Sequence, residues 1–160
     1  MPKTYSGKYK VKNPDKYHGN VNEVTYRSMW EKYCMMFFDN NSNVKSWSSE
    51  EVTILYYYDV DKRYHRYFVD FKVTWKSGQT SLIEVKPHKE TMPPTGNRKT
   101  KRYITEGLTY VKNMNKWKAA QEYCKDHKWQ FEIWTEVELE QMGIMPKLAK
   151  PLKPFTRKKK

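Results

Sequence analysis

Residues 68–86 read FVDFKVTWKSGQTSLIEVK. Two β-strands joined by a tight turn account for this run. Asp70 stands alone among Phe68, Val69, Phe71 and Val73, and Glu84 among Leu82, Ile83 and Val85. A carboxylate inside an apolar strand costs several kcal/mol unless it is paired or holds a metal. Two such acids on neighbouring strands, with Lys86 two residues beyond the second, point to a metal site.

Register sharpens the point. Strand side chains alternate between faces, so Glu84 and Lys86 share one face. Asp70 joins them only if residue 70 lies opposite residue 84. That pairing sets Trp75 opposite Gln79 and leaves Lys76, Ser77 and Gly78 as the loop. A three-residue hairpin loop needs a left-handed residue at its end, and Gly78 stands there. A two- or four-residue loop would throw Asp70 to the other face.

Charge is the next constraint. The 160 residues carry 31 basic and 18 acidic side chains, a net +13, and one domain is the natural expectation for this length. Residues 1–19 hold five lysines against Asp15, and residues 146–160 hold six lysines and Arg157 against no acid. The body is therefore close to neutral between basic ends, an arrangement suited to phosphate backbones. No amphipathic helix or lipidation motif accompanies these ends, so a membrane partner is not expected. Cys34 and Cys124 are far apart with no CxxC pair, which argues against a disulfide framework or zinc site and for buried thiols. With no apolar signal segment at the start and no stretch long enough to span a membrane, a soluble intracellular protein is expected, or a virion protein made in a cell.

The chain divides into a basic arm (1–22), a domain (23–145) and a Pro- and Lys-rich tail (146–160) expected to be disordered. A helix is predicted from Thr25, as N-cap, to Asp39, with Tyr26, Met29, Trp30, Tyr33 and Phe37 on one stripe. Glu31 lies on its other side among Cys34, Met35 and Phe38. Taken alone, Glu31 reads as half of an i,i+4 pair with Arg27 on an exposed edge. Strands are predicted over Glu51–Tyr58, Arg63–Trp75, Thr80–Lys86 and Trp129–Trp134. Helices are predicted over Thr100–Lys112, with Tyr103, Ile104, Leu108 and Val111 inward, and over Lys116–His127, with Gln121 as a core amide. Thr135 and Glu138 form a capping box for a short helix ending at Gly143. Tyr56, Tyr57, Tyr58, Tyr64, Tyr67 and Trp75 read as strand packing rather than a stacking surface. The order αβββααβα makes an α+β, or mixed α/β, domain: a small mixed sheet flanked by helices, its last strand parallel to its neighbour.

With these residues in place the chain resembles the PD-(D/E)-x-K nuclease superfamily. Asp70 matches the first acid, Glu84-Val85-Lys86 the second acid and lysine, and Glu31 the acid many members carry on the first helix. Val69 stands where the superfamily name has proline. The segments YSGKY, TYRSMWEK, RYFVDF, NKWKAAQ and FEIWTE, with the run from Ile83 to Pro94, also resemble the head-completion family of T4-like tailed phages. The resemblance implies a restriction-endonuclease-like core and a Mg2+-dependent deoxyribonuclease, with Mn2+ as substitute and no small-molecule cofactor. It implies catalytic roles for Glu31, Asp70, Glu84 and Lys86. The metal would be held by Asp70, Glu84 and the Val85 carbonyl, with Glu31 serving a second ion or a bridging water. It further implies cleavage leaving a 5′-phosphate, and action in head completion after DNA packaging and before tail attachment, with head or portal-vertex proteins as partners. The basic residues Arg27, Lys89, Arg98, Lys99, Lys101, Arg102, Arg157, Lys158, Lys159 and Lys160 are the candidate DNA contacts, reading shape or ends rather than sequence. A second function fits the same features: a structural plug or docking protein of the virion that keeps a nuclease fold and binds DNA without cutting it.

Overall fold

The computed structural model describes residues 5–146. In chain order these form β1 (Gly7–Lys8), β2 (Thr25–Tyr26), α1 (Met29–Asn40), β3 (Val44–Ser49), β4 (Thr53–Tyr58), β5 (Arg63–Phe68), β6 (Phe71–Trp75), β7 (Thr80–Val85), α2 (Lys101–His127), β8 (Gln130–Trp134) and α3 (Glu136–Gln141). Four strands make the central mixed sheet in the order β3-β6-β7-β8. The pairs β3/β6 and β6/β7 are antiparallel and β7/β8 is parallel, as the helical crossover requires. The expected mixed α/β architecture is the one the chain adopts. Among the described residues no helix is long and apolar enough to cross a membrane.

The β6–β7 hairpin has the predicted register, with Phe71 opposite Ile83 and Thr74 opposite Thr80. The Trp75 N–H donates to the Gln79 carbonyl (2.8 Å) and the Gly78 N–H to the Trp75 carbonyl (2.9 Å). Gly78 has φ +93°, so Lys76, Ser77 and Gly78 are the loop. Odd-numbered Phe71, Val73, Ile83 and Val85 face a core shared with Trp30, Met35, Phe38 and Trp134. The opposite face carries Leu82, packed with Trp117, Ala120 and Cys124 of α2 and with Tyr56 and Tyr67 of the β4–β5 ribbon. Glu84 shares that second face by alternation.

The structure departs from the sequence reading in several places. Arg63–Trp75 is not one strand. The β3/β6 ladder ends at Ser49 opposite Phe71, and the β4/β5 ladder resumes at Thr53 opposite Phe68. Three residues, 50–52, therefore oppose two, 69–70. This one-residue bulge puts Glu50 at φ 56° and bends the ribbon out of the sheet beside Asp70. Strand β3 carries no strand signal in the sequence, since its serines resemble a loop; Trp47 is buried within it, as are Ser46, Ser48 and Ser49. The helix α1 starts at Ser28, whose hydroxyl accepts from the Glu31 N–H, not at Thr25. Its buried residues are Trp30, Glu31, Cys34, Met35, Phe38 and Asp39; of the predicted stripe only Trp30 is among them, while Tyr26, Tyr33 and Phe37 are partly buried against the same core.

The two predicted later helices are one 27-residue helix, α2. Asparagine competes for the backbone, but the Asn115 side chain is drawn away to Asp59, accepting from its N–H (2.9 Å) and donating to its carboxylate (2.8 Å). Ile104, Leu108 and Val111 are exposed rather than inward, and Gln121 is exposed rather than a core amide. The capping box of Thr135 and Glu138 is present, and Gly143 follows α3 at φ 67°.

Residues 5–22 do not hang free as an arm. Tyr9, Val11 and Tyr17 are buried in the core. Fully buried Asp39 accepts the Tyr9 hydroxyl (2.7 Å) and the N–H groups of Lys12 (2.7 Å) and Asn13 (3.0 Å). Lys16 caps the end of α1, donating to the carbonyls of Phe38, Asp39 and Asn41. The basic count of this segment is thus partly structural. Residues 147–160, including the predicted contacts Arg157, Lys158, Lys159 and Lys160, lie outside the described residues.

Candidate active site

The β6/β7 register, extended one residue beyond Phe71 opposite Ile83, sets Asp70, just before β6, against Glu84, with Lys86 just past β7 on the Glu84 face. The Asp70 carboxylate accepts the Val85 N–H (2.8 Å), which fixes one oxygen and leaves the other available. Glu84 is 7% exposed. One of its oxygens accepts the Tyr67 hydroxyl, donated from the β4–β5 ribbon. Glu31, also 7% exposed, accepts the Ser28 hydroxyl (3.2 Å) from the N-cap of its own helix. Glu31 and Asp70 interact electrostatically, so α1 brings a third acid to the sheet end carrying the other two.

Each acid is held in an environment that resists ionisation. Burial raises Asp70 to about 6; the Glu50 charge adds to it, against the Val85 N–H and Lys86. Burial raises Glu84 to about 7, with Lys86 and Lys116 holding it down. Burial and then the Asp70 charge raise Glu31 to about 7, against the Ser28 hydroxyl. Among the described residues none of these acids has a cationic partner within 4 Å. Perturbed carboxylates clustered at one end of a sheet mark a functional site.

The donor set fits a hard divalent cation. Carboxylate and carbonyl oxygens suit Mg2+, which binds through one or two carboxylates and keeps several waters. Among the described residues no three acid, histidine or cysteine side chains converge as a preformed cage. Asp70, Glu84 and the Val85 carbonyl are oxygens of the kind that an ion keeping much of its hydration would use.

The predicted DNA contacts divide. Arg27 does not pair with Glu31; its guanidinium is bound to Glu50 (2.9 and 3.3 Å). Arg102 pairs with Glu106 (2.9 Å). Lys89, Arg98, Lys99 and Lys101 are exposed, on the segment leaving Lys86 and at the start of α2. That segment is tied down where the His88 N–H donates to Glu136 (2.7 Å). It forms one wall of a cleft of about 410 Å³ against α2, lined by Lys89, Met92, Glu106 and Tyr110; none of the four candidate catalytic residues lines it. Of the aromatic residues, Tyr56, Tyr58 and Tyr67 pack inward, whereas Tyr57 and Tyr64 face out.

Three site residues escaped the sequence reading. Glu50 reaches the site through the bulge, its N–H donating to the Asp70 carbonyl (3.1 Å). Tyr67 reaches Glu84 because the ribbon folds back over it. Lys116 acts on Glu84 and Asp70 from α2. None has a local signal, since each depends on how separate elements stack.

Comparison with known proteins follows the same outline. Residues 41–136 match the family described as TnsA-like endonuclease N terminal. That span includes Asp70, Glu84 and Lys86 but not Glu31. The chain is also 39% identical over 145 residues to the "Head completion nuclease" of Enterobacteria phage T4, a similarity covering 88% of this chain and 97% of that protein.

Proposed function

The chain belongs to the TnsA-like endonuclease family, and from that premise we propose that it is a divalent-metal-dependent deoxyribonuclease acting in phage head completion, between DNA packaging and tail attachment. The observation that carries this reading is the set of three buried or half-buried acids without cations beside Lys86. Such an arrangement is costly as a structural element and useful as a metal-binding one. Asp70, Glu84 and the Val85 carbonyl hold the ion, with Mg2+ preferred and Mn2+ able to replace it. Bound there, the ion supplies Lewis-acid activation of the phosphate and a more acidic water. The Val85 N–H and the Tyr67 hydroxyl fix the orientation of the two acids. Lys86 orients the attacking water and offsets the charge that builds on the phosphate. Glu31, its carboxyl raised by burial, suits a proton-holding or water-bridging role. The product carries a 5′-phosphate. Lys89, Arg98, Lys99 and Lys101 contact the phosphate backbone, which recognises DNA by shape or ends.

The test uses DNA-filled heads lacking this factor, supplied with wild type or with Asp70→Asn. Under this reading wild type restores tail joining and the variant, folded to the same degree, does not. Equal restoration by both would replace it with the structural plug.

A further inference from the structure

Helix α2 carries two lysines one turn apart on the side that faces the β4–β5 ribbon. Lys116 Nζ lies over the rings of Tyr67 (5.4 Å) and Tyr56 (5.9 Å). Lys112 Nζ lies over Tyr58 (5.1 Å). Among the described residues neither ammonium has an acid within 4 Å, in contrast to Arg27 on Glu50 and Arg102 on Glu106. Lys116 is half-buried, and no oxygen of the described residues accepts from its Nζ, so its N–H donors are open to an acceptor from outside the chain. The tyrosine faces offset part of that cost and fix where each cation stands. Lys116 is close enough to feel the charges of Glu84, Asp70 and Lys86, so its end of the row adjoins the catalytic face. Lys112 stands about 6 Å further along the helix, at 1.5 Å rise per residue.

We propose that Lys116 and Lys112 form a phosphate track, taking two backbone phosphates of the strand that enters the site. Lys116 binds beside the scissile position and Lys112 binds one or two nucleotides away. At 3.4 Å of axial rise per nucleotide, a step of about 6 Å spans that distance. The tyrosine bed explains why these lysines and not the flanking ones serve. Lys118, two residues on, is exposed. Two ammonium groups without an internal acceptor suit an anion with several oxygens, and a phosphodiester supplies one. This inference rests on the reading of the site as a DNA nuclease.

The test is the salt dependence of binding to a labelled duplex, with Ca2+ in place of Mg2+, for wild type, Lys112→Gln, Lys116→Gln, the double variant and Lys118→Gln. Each single change in the track lowers the slope of log affinity against log salt by about 0.9, and the double by about 1.8. Lys118→Gln leaves the slope unchanged, and Lys116→Arg restores it, which a merely structural lysine would not do. Should Lys116→Gln fail to fold, Lys112→Gln, at an exposed position, carries the test alone. A wild-type slope kept by the track variants overturns the inference and leaves the nuclease reading standing. Absence of any wild-type binding overturns both.

Discussion

Replacing Glu84 by glutamine should make the metal-free protein more stable at neutral and alkaline pH while removing its activity. Burial holds the Glu84 carboxyl at about 7 in the folded chain, against an ordinary value of 4.5. The folded state therefore binds the proton more tightly than the unfolded one, and its stability falls as pH rises. The loss is absent below about pH 4.5, grows between there and pH 7, and is complete above. A shift of this size corresponds to about 3 kcal/mol at 1.36 kcal/mol per unit. Glutamine keeps the shape and can still accept the Tyr67 hydroxyl, so it avoids the loss without opening a cavity. For a chain of this length, about 3 kcal/mol is roughly 6–12 °C in Tm. The assay is thermal unfolding in EDTA followed by circular dichroism. At pH 8 the variant should melt well above wild type, and near pH 4.5 the two curves should approach one another. Millimolar Mg2+ should then stabilise the wild type by about 2.7 kcal/mol at a hundredfold excess over Kd, raising its Tm, and leave the variant unmoved. A variant no more stable than wild type at pH 8, or a gap independent of pH, would refute the argument that Glu84 is held against its ionisation.

Two further outcomes follow from the fold. Asp39→Ala strands the Tyr9 hydroxyl and the N–H groups of Lys12 and Asn13. The Tyr9 hydroxyl is buried and costs about 1–3 kcal/mol when left unpaired, while the two part-buried N–H groups reach water and add less, so the loss should be about 2–4 kcal/mol, read by urea unfolding; a change under about 1 kcal/mol would return residues 5–17 to the status of a loose arm. Gly78→Ala meets no atom within 4 Å but forces a side chain onto φ +93°. It should cost about 1–2 kcal/mol with cleavage retained, and a lost activity in the folded variant would show that the loop does more than set register.

The hairpin was legible because its signals are local. A lone acid in each apolar strand, a lysine two residues on and a glycine at the loop end together admit one register. The parallel return of β8 followed from chain connectivity, and the α3 cap from four adjacent residues. What the sequence concealed depends on distant partners. The buried acid at Asp39 became intelligible only with Tyr9 and Asn13 in contact, some thirty residues earlier. The serines of β3 are buried because the strand lies in the sheet beside β6 with α1 and residues Pro14–Lys16 packed against it, and no propensity scale foresees that. The long strand was read through Asp70 because the bulge that breaks it is caused by an extra residue in the opposing chain, at Glu50. Lys116 looked like one charge among many on a basic helix. Its place beside Glu84 follows from the way α2 lies across the sheet and the ribbon folds over both.

The central claim is that Asp70, Glu84 and Lys86 form a metal-dependent nuclease site, and DNA cleavage tests it most directly. Wild type and Asp70→Ala are incubated with supercoiled, linear and branched DNA in Mg2+ or EDTA, with the fold of each verified by circular dichroism. Wild type should cut only in Mg2+, and Asp70→Ala should leave every substrate intact. Equal cutting by the variant, or DNA left whole by a folded, DNA-bound wild type under every condition, would contradict the claim.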